Sequence, residues 1–381
     1  MRFSRNSQKR GWRGSIKEVA PGACPVVTWA SSPAPLRCHY TGVVTETDDY
    51  IRRLPKAELH LHLEGTILPS TFVELSRRHD ETPLTQAEAD AIYQFTDFTG
   101  FIEAFKAVTR RMKAAEDYEL VAWRMMQQLA AQGVVHAEVY ISVGVIYMWR
   151  NHDPACFEPI FEGLERARER AARELGLSLY WIFDAVRHFT VPEAERVFLK
   201  AAEMRGKYPS IIGIGLGGDE RTAGSEPFRA MYAEARKAGL RLTNHAGETT
   251  GPEAIWEALS VGSERIGHAL SAIRDQALMD ELKARQIGVE LNPTSNVKTG
   301  VCASFADHPL RRYFDQGLLV TINSDDPAFF GSNIANEYRL AHEIHGFSRD
   351  ELKKLASNSI RASFLPELEK SGWLARIESI E

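Results

Sequence analysis

The sequence predicts an α/β fold: a (β/α)8 TIM-type barrel of parallel strands, with a helical insertion between the first and second strands. Length is the first reason. The 381 residues exceed what one small core needs and fall short of three ordinary domains. The second is a series of eight short apolar runs rich in β-branched and aromatic residues. The third is the amphipathic helical stretch that separates most of them, since strand–helix alternation means parallel strands joined by crossover helices.

The eight runs are 57–62, 134–141, 179–186, 211–215, 240–245, 265–268, 287–291 and 318–322, and helical periodicity marks 158–175, 193–206, 226–238, 252–261 and 275–285. One gap is too long for a single crossover. Residues 66–132 read as a mostly helical insertion, whose aromatic stripe of Phe95, Phe98, Phe101 and Phe105, with Phe72, either packs a subdomain or forms a lid that dries the barrel mouth. No fixed-period repeat stands out, which disfavours solenoids and propellers. The barrel is expected in residues 44–381, with 1–43 a disordered extension.

Composition narrows the function. With 44% hydrophobic and 25% charged residues, the chain is ordinary globular material. The net charge of −5 is uneven: residues 1–43 hold seven basic residues and one acid, which leaves about −11 for the rest. An acidic body argues against nucleic acid held through phosphate contacts, so a small-molecule substrate is expected. The four cysteines, at 24, 38, 156 and 302, form no C-x-x-C pair and no disulfide framework. No apolar run reaches the roughly 18 residues of a membrane helix, and Pro21, Gly22 and Pro25 interrupt any signal-peptide core. A cytoplasmic protein is expected.

In such a barrel, function sits at the carboxyl ends of the strands. His60 and His62, two apart, share one face of the first strand. His245 closes the fifth, His268 the sixth, and Asp325 with Asp326 follows the eighth. Each fragment alone has a bland reading: H-x-H as an ordinary strand face, AspAspPro as a turn and helix cap. Their joint placement is what points to a metal, since zinc takes nitrogen and oxygen donors and keeps a position open when catalytic. The donor types alone leave Zn²⁺, Fe²⁺ and Mn²⁺ open.

The motifs LeuHisLeuHisLeuGluGly (59–65), GlyGlyAspGlu (217–220), AsnHisAlaGlyGlu (244–248), ArgIleGlyHisAla (265–269), AsnProThrSerAsn (292–296) and AsnSerAspAspPro (323–327) resemble, in order and spacing, those of the adenosine deaminase family of metal-dependent amidohydrolases, over residues 54–365. The resemblance implies one Zn²⁺ held by His60, His62, His245 and Asp325. It implies that His268 orients the attacking water, as a base or an electrostatic aid. It further implies that Glu248 passes a proton to N1 of a 6-aminopurine, that Asp326 bonds N7, and that the Gly218 N–H reaches N3.

These roles make chemical sense. An aromatic purine resists attack at C6, so an acid is needed on the ring side and a base on the water side. Donation by Glu248 requires a raised pKa. The stretch 213–220 contains no lysine to bridge two metals, which favours one. It also lacks the x-x of a dinucleotide fingerprint. The H-x-E with P-C-x-x-C pattern of cytidine deaminases is missing. A non-catalytic binding protein, or a hydrolase of lactones, esters or cyclic amides, would not need Glu248 and Asp326 together.

The substrate is less constrained. Glu64 stands where adenosine deaminases carry Asp against the ribose 5′-hydroxyl, as in branches acting on adenine or 6-aminodeoxyfutalosine. The loop 292–300 is closer to the nucleoside type, although Asn292 replaces a frequent Cys. A nucleoside with an elaborated 5′ end satisfies both features, so 6-aminodeoxyfutalosine, an intermediate of menaquinone synthesis, ranks ahead of adenosine, and free adenine third. Arg187 or Lys298 would then face its benzoate. Of the remaining histidines, His136 reads as core, His342 and His345 as structural or surface residues beyond the last strand, and His79 and His308 as solvent-facing. Arg187 and His188, at the mouth, also have a site-support reading.

Overall fold

A computed structural model describes residues 45–96 and 98–380; the expected N-terminal extension lies outside them. Eight parallel strands run in the order of the chain: β1 (Lys56–His62), β2 (Val134–Ile141), β3 (Ser178–Val186), β4 (Ile211–Gly217), β5 (Arg241–Ala246), β6 (Arg265–His268), β7 (Gly288–Leu291) and β8 (Leu319–Ile322). Each pairs in parallel with the next. The circle is nearly closed by a parallel bridge between Leu61 and Asp325. There Asp325 N–H donates to His60 O at 3.1 Å and His62 N–H to Asp325 O at 3.0 Å. The last backbone bonds of the barrel therefore belong to three residues of the expected metal site.

Continuous apolar strands suit a sheet buried on both faces, and β6, β7 and β8 are buried throughout. Helices Phe157–Leu175, Val191–Arg205, Arg229–Lys237, Pro252–Ser260 and Gln276–Ala284 sit on the outside where the helical periodicity placed them, within two or three residues. The insertion holds four helices, Pro69–His79, Gln86–Ile92, Phe98–Thr109 and Ala115–Ala131.

The aromatic stripe of the insertion does not pack only on itself. Tyr93 stacks on Phe329 with ring centroids 4.9 Å apart, and Phe101 meets Phe329 edge-on at 5.5 Å and Phe330 face-on at 5.4 Å. Phe329 and Phe330 belong to the short helix Pro327–Phe330, directly after Asp325 and Asp326. The insertion thus buttresses the segment that carries both aspartates; the side chain of Phe98 is outside the described residues.

Candidate active site at the carboxyl end of the barrel

His60 and His62 project from the end of β1, His245 from β5 and His268 from the end of β6, with Asp325 three residues beyond β8. Their rings crowd together: His60 lies 4.5 Å from His245, 4.9 Å from His268 and 5.5 Å from His62, centroid to centroid. Ligand atoms of His60, His62 and His245 lie within 4.8 Å of one another, as do those of His60, His268 and Asp325. Asp325 Oδ1 is 3.4 Å from His60 Nε2 and 3.5 Å from His62 Nε2.

Two features show that these side chains fit a cation. His60 Nε2 is buried without a hydrogen-bond partner. His62 Nε2 and His245 Nε2 face each other at 3.2 Å, although burial lowers the pKa of His62 to about 4 and that of His245 well below its ordinary value. Neutral imidazoles at His62 and His245, with nitrogens converging beside His60 and a carboxylate, fit the donor set of a four-coordinate divalent metal. At Asp325, burial is outweighed by His60 and the neighbouring histidines, which hold its carboxyl well below the usual range.

The supporting layer was not foreseen from sequence. His60 Nδ1 lies 2.8 Å from Glu290 Oε2, and Glu290 Oε1 lies 2.5 Å from Arg265 Nε. Arg265 also bonds Glu138, so a fully buried column of charges runs from His60 down the barrel. Ser295 Oγ donates to Asp325 Oδ2 at 2.6 Å. Partners of this kind fix the orientation of ligands. A carboxylate in the middle of the apolar run 287–291 and an arginine opening 265–268 were the available signals.

Glu248 sits on the turn after β5. Its backbone N–H and those of Thr249 and Thr250 donate to Glu220 Oε2 at 3.1, 2.9 and 3.1 Å, which anchors the turn to the last residue of the GlyGlyAspGlu motif. Its Oε2 is 3.7 Å from His268 Nε2. Burial, with the charges of Asp325 and Glu220, raises its pKa to about 8. His268 and Asp325 both adopt positive φ, at 64° and 65°, a conformation costly for side-chain-bearing residues and concentrated at functional sites.

Asp326 adjoins the cluster with Oδ1 buried and unpartnered. Burial and the charges of Asp325 and Glu64 push its pKa well up. Gly218 follows β4 at φ 87°, a left-handed conformation that glycine adopts without strain. Glu64 Oε1 accepts the Ser142 N–H at 3.1 Å, while Oε2 is buried without a partner and burial raises the carboxyl to about 7.

Two expectations need correction. Arg187 does not reach into the mouth: its guanidinium is buried and donates to Ala223 O, Leu216 O, Asn244 Oδ1 and His245 O. It braces the β5 turn from behind, which matches the site-support reading, and its one unpartnered nitrogen, Nε, is itself buried. His308 is not solvent-facing but 3% exposed, and its Nε2 lies 3.0 Å from Asn296 Oδ1. His136 is core, as expected, between Ser178 and Glu138. His79 is partly buried against Asp117 at 2.6 Å.

Comparison with known proteins agrees with this geometry. The sequence model of the family described as adenosine deaminase matches residues 55–380. An aminodeoxyfutalosine deaminase of Streptomyces avermitilis is 37% identical over 333 residues, covering 87% of this chain and 92% of the relative. Among solved structures, an adenine deaminase from Arthrobacter aurescens superposes with a TM-score of 0.79 at 31% identity, over 85% of this chain and 98% of the other. An amidohydrolase from Burkhoderia ambifaria with bound Zn gives 0.80 at 25% identity, over 89% and 94%.

Proposed function

The chain belongs to the adenosine deaminase family and is a hydrolytic deaminase, and from that premise we propose that it converts a 6-aminopurine nucleoside to its 6-oxo product and ammonia, with 6-aminodeoxyfutalosine ahead of adenosine as substrate. The observation that carries the choice of nucleoside is the 37% identity to an aminodeoxyfutalosine deaminase across nearly the whole of both chains. Glu64 is compatible with it: one buried carboxyl oxygen is held by Ser142 and the other has no protein partner, a fit for a substrate hydroxyl, although the residue type is shared with the adenine branch.

One Zn²⁺ per chain would be held by His60, His62, His245 and Asp325 and would supply a Lewis acid able to bring the pKa of water from 15.7 to about 7. The amidohydrolase neighbour with bound Zn supports that metal. The other work belongs to side chains. Glu248, protonated at neutral pH because burial and like charges raise its pKa, gives its proton to N1 as the oxygen adds at C6, which lifts the aromatic resistance to attack. His268, 3.7 Å from Glu248, steadies the oxygen side. Asp326, kept protonated by burial and by Asp325, donates to the N7 lone pair, and the Gly218 N–H meets N3. Glu220 fixes the turn from which Glu248 acts.

With Arg187 committed to backbone carbonyls, Lys298, partly buried at the end of the helix Pro293–Lys298, is the remaining basic candidate for a benzoate. A second reading, free adenine, is favoured by the Arthrobacter aurescens neighbour. The ultraviolet change from 6-amino to 6-oxo purine decides between them. The zinc-loaded enzyme should show its highest kcat/KM on 6-aminodeoxyfutalosine, less on adenosine and least on adenine. A maximum on adenine overturns the nucleoside assignment, and no ammonia from any of the three overturns the purine. With 6-aminodeoxyfutalosine as substrate, the enzyme would stand on a route to menaquinone.

A further inference from the structure

Behind His268 runs a buried line of hydrogen bonds whose polarity is set from outside the active site. It starts at the first backbone N–H of the helix Leu310–Asp315. That Leu310 N–H donates to His308 Nδ1 at 3.3 Å. His308 Nε2 lies 3.0 Å from Asn296 Oδ1, and Asn296 Nδ2 lies 2.9 Å from His268 Nδ1. Asn292 Nδ2 reaches the same nitrogen at 3.2 Å. All four side chains are buried.

A backbone N–H can only donate, so His308 must present a lone pair at Nδ1. A neutral imidazole with a lone pair at Nδ1 carries its proton at Nε2. His308 stays neutral, because burial and the nearby His345 and His268 lower its pKa to about 3. Its Nε2–H then donates to Asn296 Oδ1, which turns the Asn296 amide so that Nδ2 donates to His268 Nδ1. A lone pair is thereby required at Nδ1 of His268, and its proton belongs on Nε2, the nitrogen that faces Glu248 and the metal-ligand cluster.

We infer that Asn296 and His308 are positioning residues that lock His268 as its Nε2–H tautomer, so that His268 meets the attacking oxygen as a hydrogen-bond donor, the water's proton leaving to bulk solvent rather than to His268. Sequence reasoning left base and electrostatic aid both open; the anchored chain of donors chooses the second. The inference rests on the proposed deaminase site only in the statement that a reacting oxygen stands at Nε2. The tautomer itself is independent of any substrate.

Long-range ¹H–¹⁵N spectra of the zinc-loaded, [¹⁵N]histidine-labelled enzyme without substrate test it, with the His268 and His308 signals assigned by their loss in His268→Gln and His308→Gln. Both rings should show the Nε2–H pattern. A proton on Nδ1 of His268 overturns the inference whatever the enzyme deaminates. Asn296→Asp puts an acceptor against Nδ1, so His268 should move to the Nδ1–H pattern and lose its Nε2–H donor. Its kcat should fall about 10²–10³-fold, as when one preorganised donor is lost, with KM within about threefold because substrate binding is not what changes. His308→Gln retains a donor to Asn296 and an acceptor for Leu310 N–H and should keep most of kcat, whereas His308→Phe fills the space without either and should lose it. Equal loss in both, with melting temperatures matching wild type, assigns His308 to packing and overturns its part. Unchanged kcat in a folded Asn296→Asp overturns that of Asn296. Normal tautomers in an enzyme that deaminates none of the three purines would sink the functional assignment and leave this one standing.

Discussion

Glu248 Oε2 stands 3.7 Å from His268 Nε2, the first on the turn after β5 and the second at the end of β6. The proposed acid for the ring and the proposed donor for the attacking oxygen therefore stand side by side, next to the proposed metal ligands His60 and His245, whose rings lie 4.9 and 5.4 Å from that of His268. Their order follows from the parallel register of β5 and β6, in which His245 pairs with Gly267 and Ala246 with His268. Gly267 has to lack a side chain there, since a Cβ would lie 2.6 Å from His60 Cε1. The motif AsnHisAlaGlyGlu then places a metal ligand in the strand and the acid three residues later, over the same opening.

The first prediction concerns that acid. Burial raises the Glu248 pKa to about 8, and the protonated form is the one that donates. In the free enzyme kcat/KM should stay level below that value, as far as Glu248 is concerned, and fall tenfold per pH unit above it. Glu248→Gln should lower kcat by about 10²–10⁴-fold, the usual worth of a positioned acid, while zinc content is retained. A pH–rate profile and metal analysis on the same preparations check it; a variant with near wild-type turnover would remove Glu248 from the reaction.

A second expectation is a single metal. β4 ends at Gly217, with no lysine in the stretch 213–220 to bridge a second ion. Elemental analysis of zinc-saturated protein should give one equivalent per chain. Chelation should abolish activity and lower Tm, because a ligand bound at about 1,000 times its Kd stabilises the folded state by about 4 kcal/mol. Two tightly held equivalents would contradict the mononuclear reading.

The third prediction tests the packing of Glu64 and Asp326. Between their loops lies Gly65, where a Cβ would fall 2.1 Å from Asp326 Oδ1 and 2.6 Å from its Cα. Backbone cannot yield as a side chain tip can, so Gly65→Ala must displace Asp326. The variant should raise KM and lower kcat together, consistent with loss of a ring contact, while binding zinc as wild type does. Steady-state kinetics alongside metal content check this, and unaltered kinetics would show that the Asp326 position is unimportant.

How much of this was legible beforehand differs by residue type. β2 and β6 were read at their observed bounds, because strand composition and flanking turn residues leave little choice. The clustering of His60, His62, His245, His268 and Asp325 was legible because histidines at strand ends have few bland explanations when several coincide. His308 was misread for a physical reason: sequence gives the residue type but not its burial, and only the helix starting at Leu310 decides which way its ring nitrogens point. Arg187 carried two readings, and the structure matches site support rather than substrate contact: Leu216 O, His245 O, Ala223 O and Asn244 Oδ1 take its donors. Glu290 and Glu138 were passed over because a lone carboxylate inside an apolar run reads as ordinary strand alternation until its partner is known.

The last prediction follows from that pair of carboxylates. Arg265 is 1% exposed and lies between Glu138 and Glu290. At Glu138 burial alone would raise the pKa, but the Arg265 charge outweighs it and, with His136, brings it down to about 2. A carboxylate whose folded pKa is depressed stabilises the fold fully above its unfolded pKa of about 4.3, and the contribution drains away as pH falls towards the folded value. Between about pH 4.3 and 2, then, the wild type should lose stability steeply. Glu138→Gln should start lower by about 3–5 kcal/mol at neutral pH, since it leaves a buried guanidinium short of one partner, and should show a shallower acid limb because one titrating group is gone. Glu290 would show the same sign but cannot serve as the probe, because it also orients His60 and its replacement would mix stability with metal affinity. Glu138 touches no metal ligand directly, so denaturant melts across the acid range isolate the column. An acid limb of unchanged slope in Glu138→Gln would mean that the buried arginine is held by packing and by Glu290 alone.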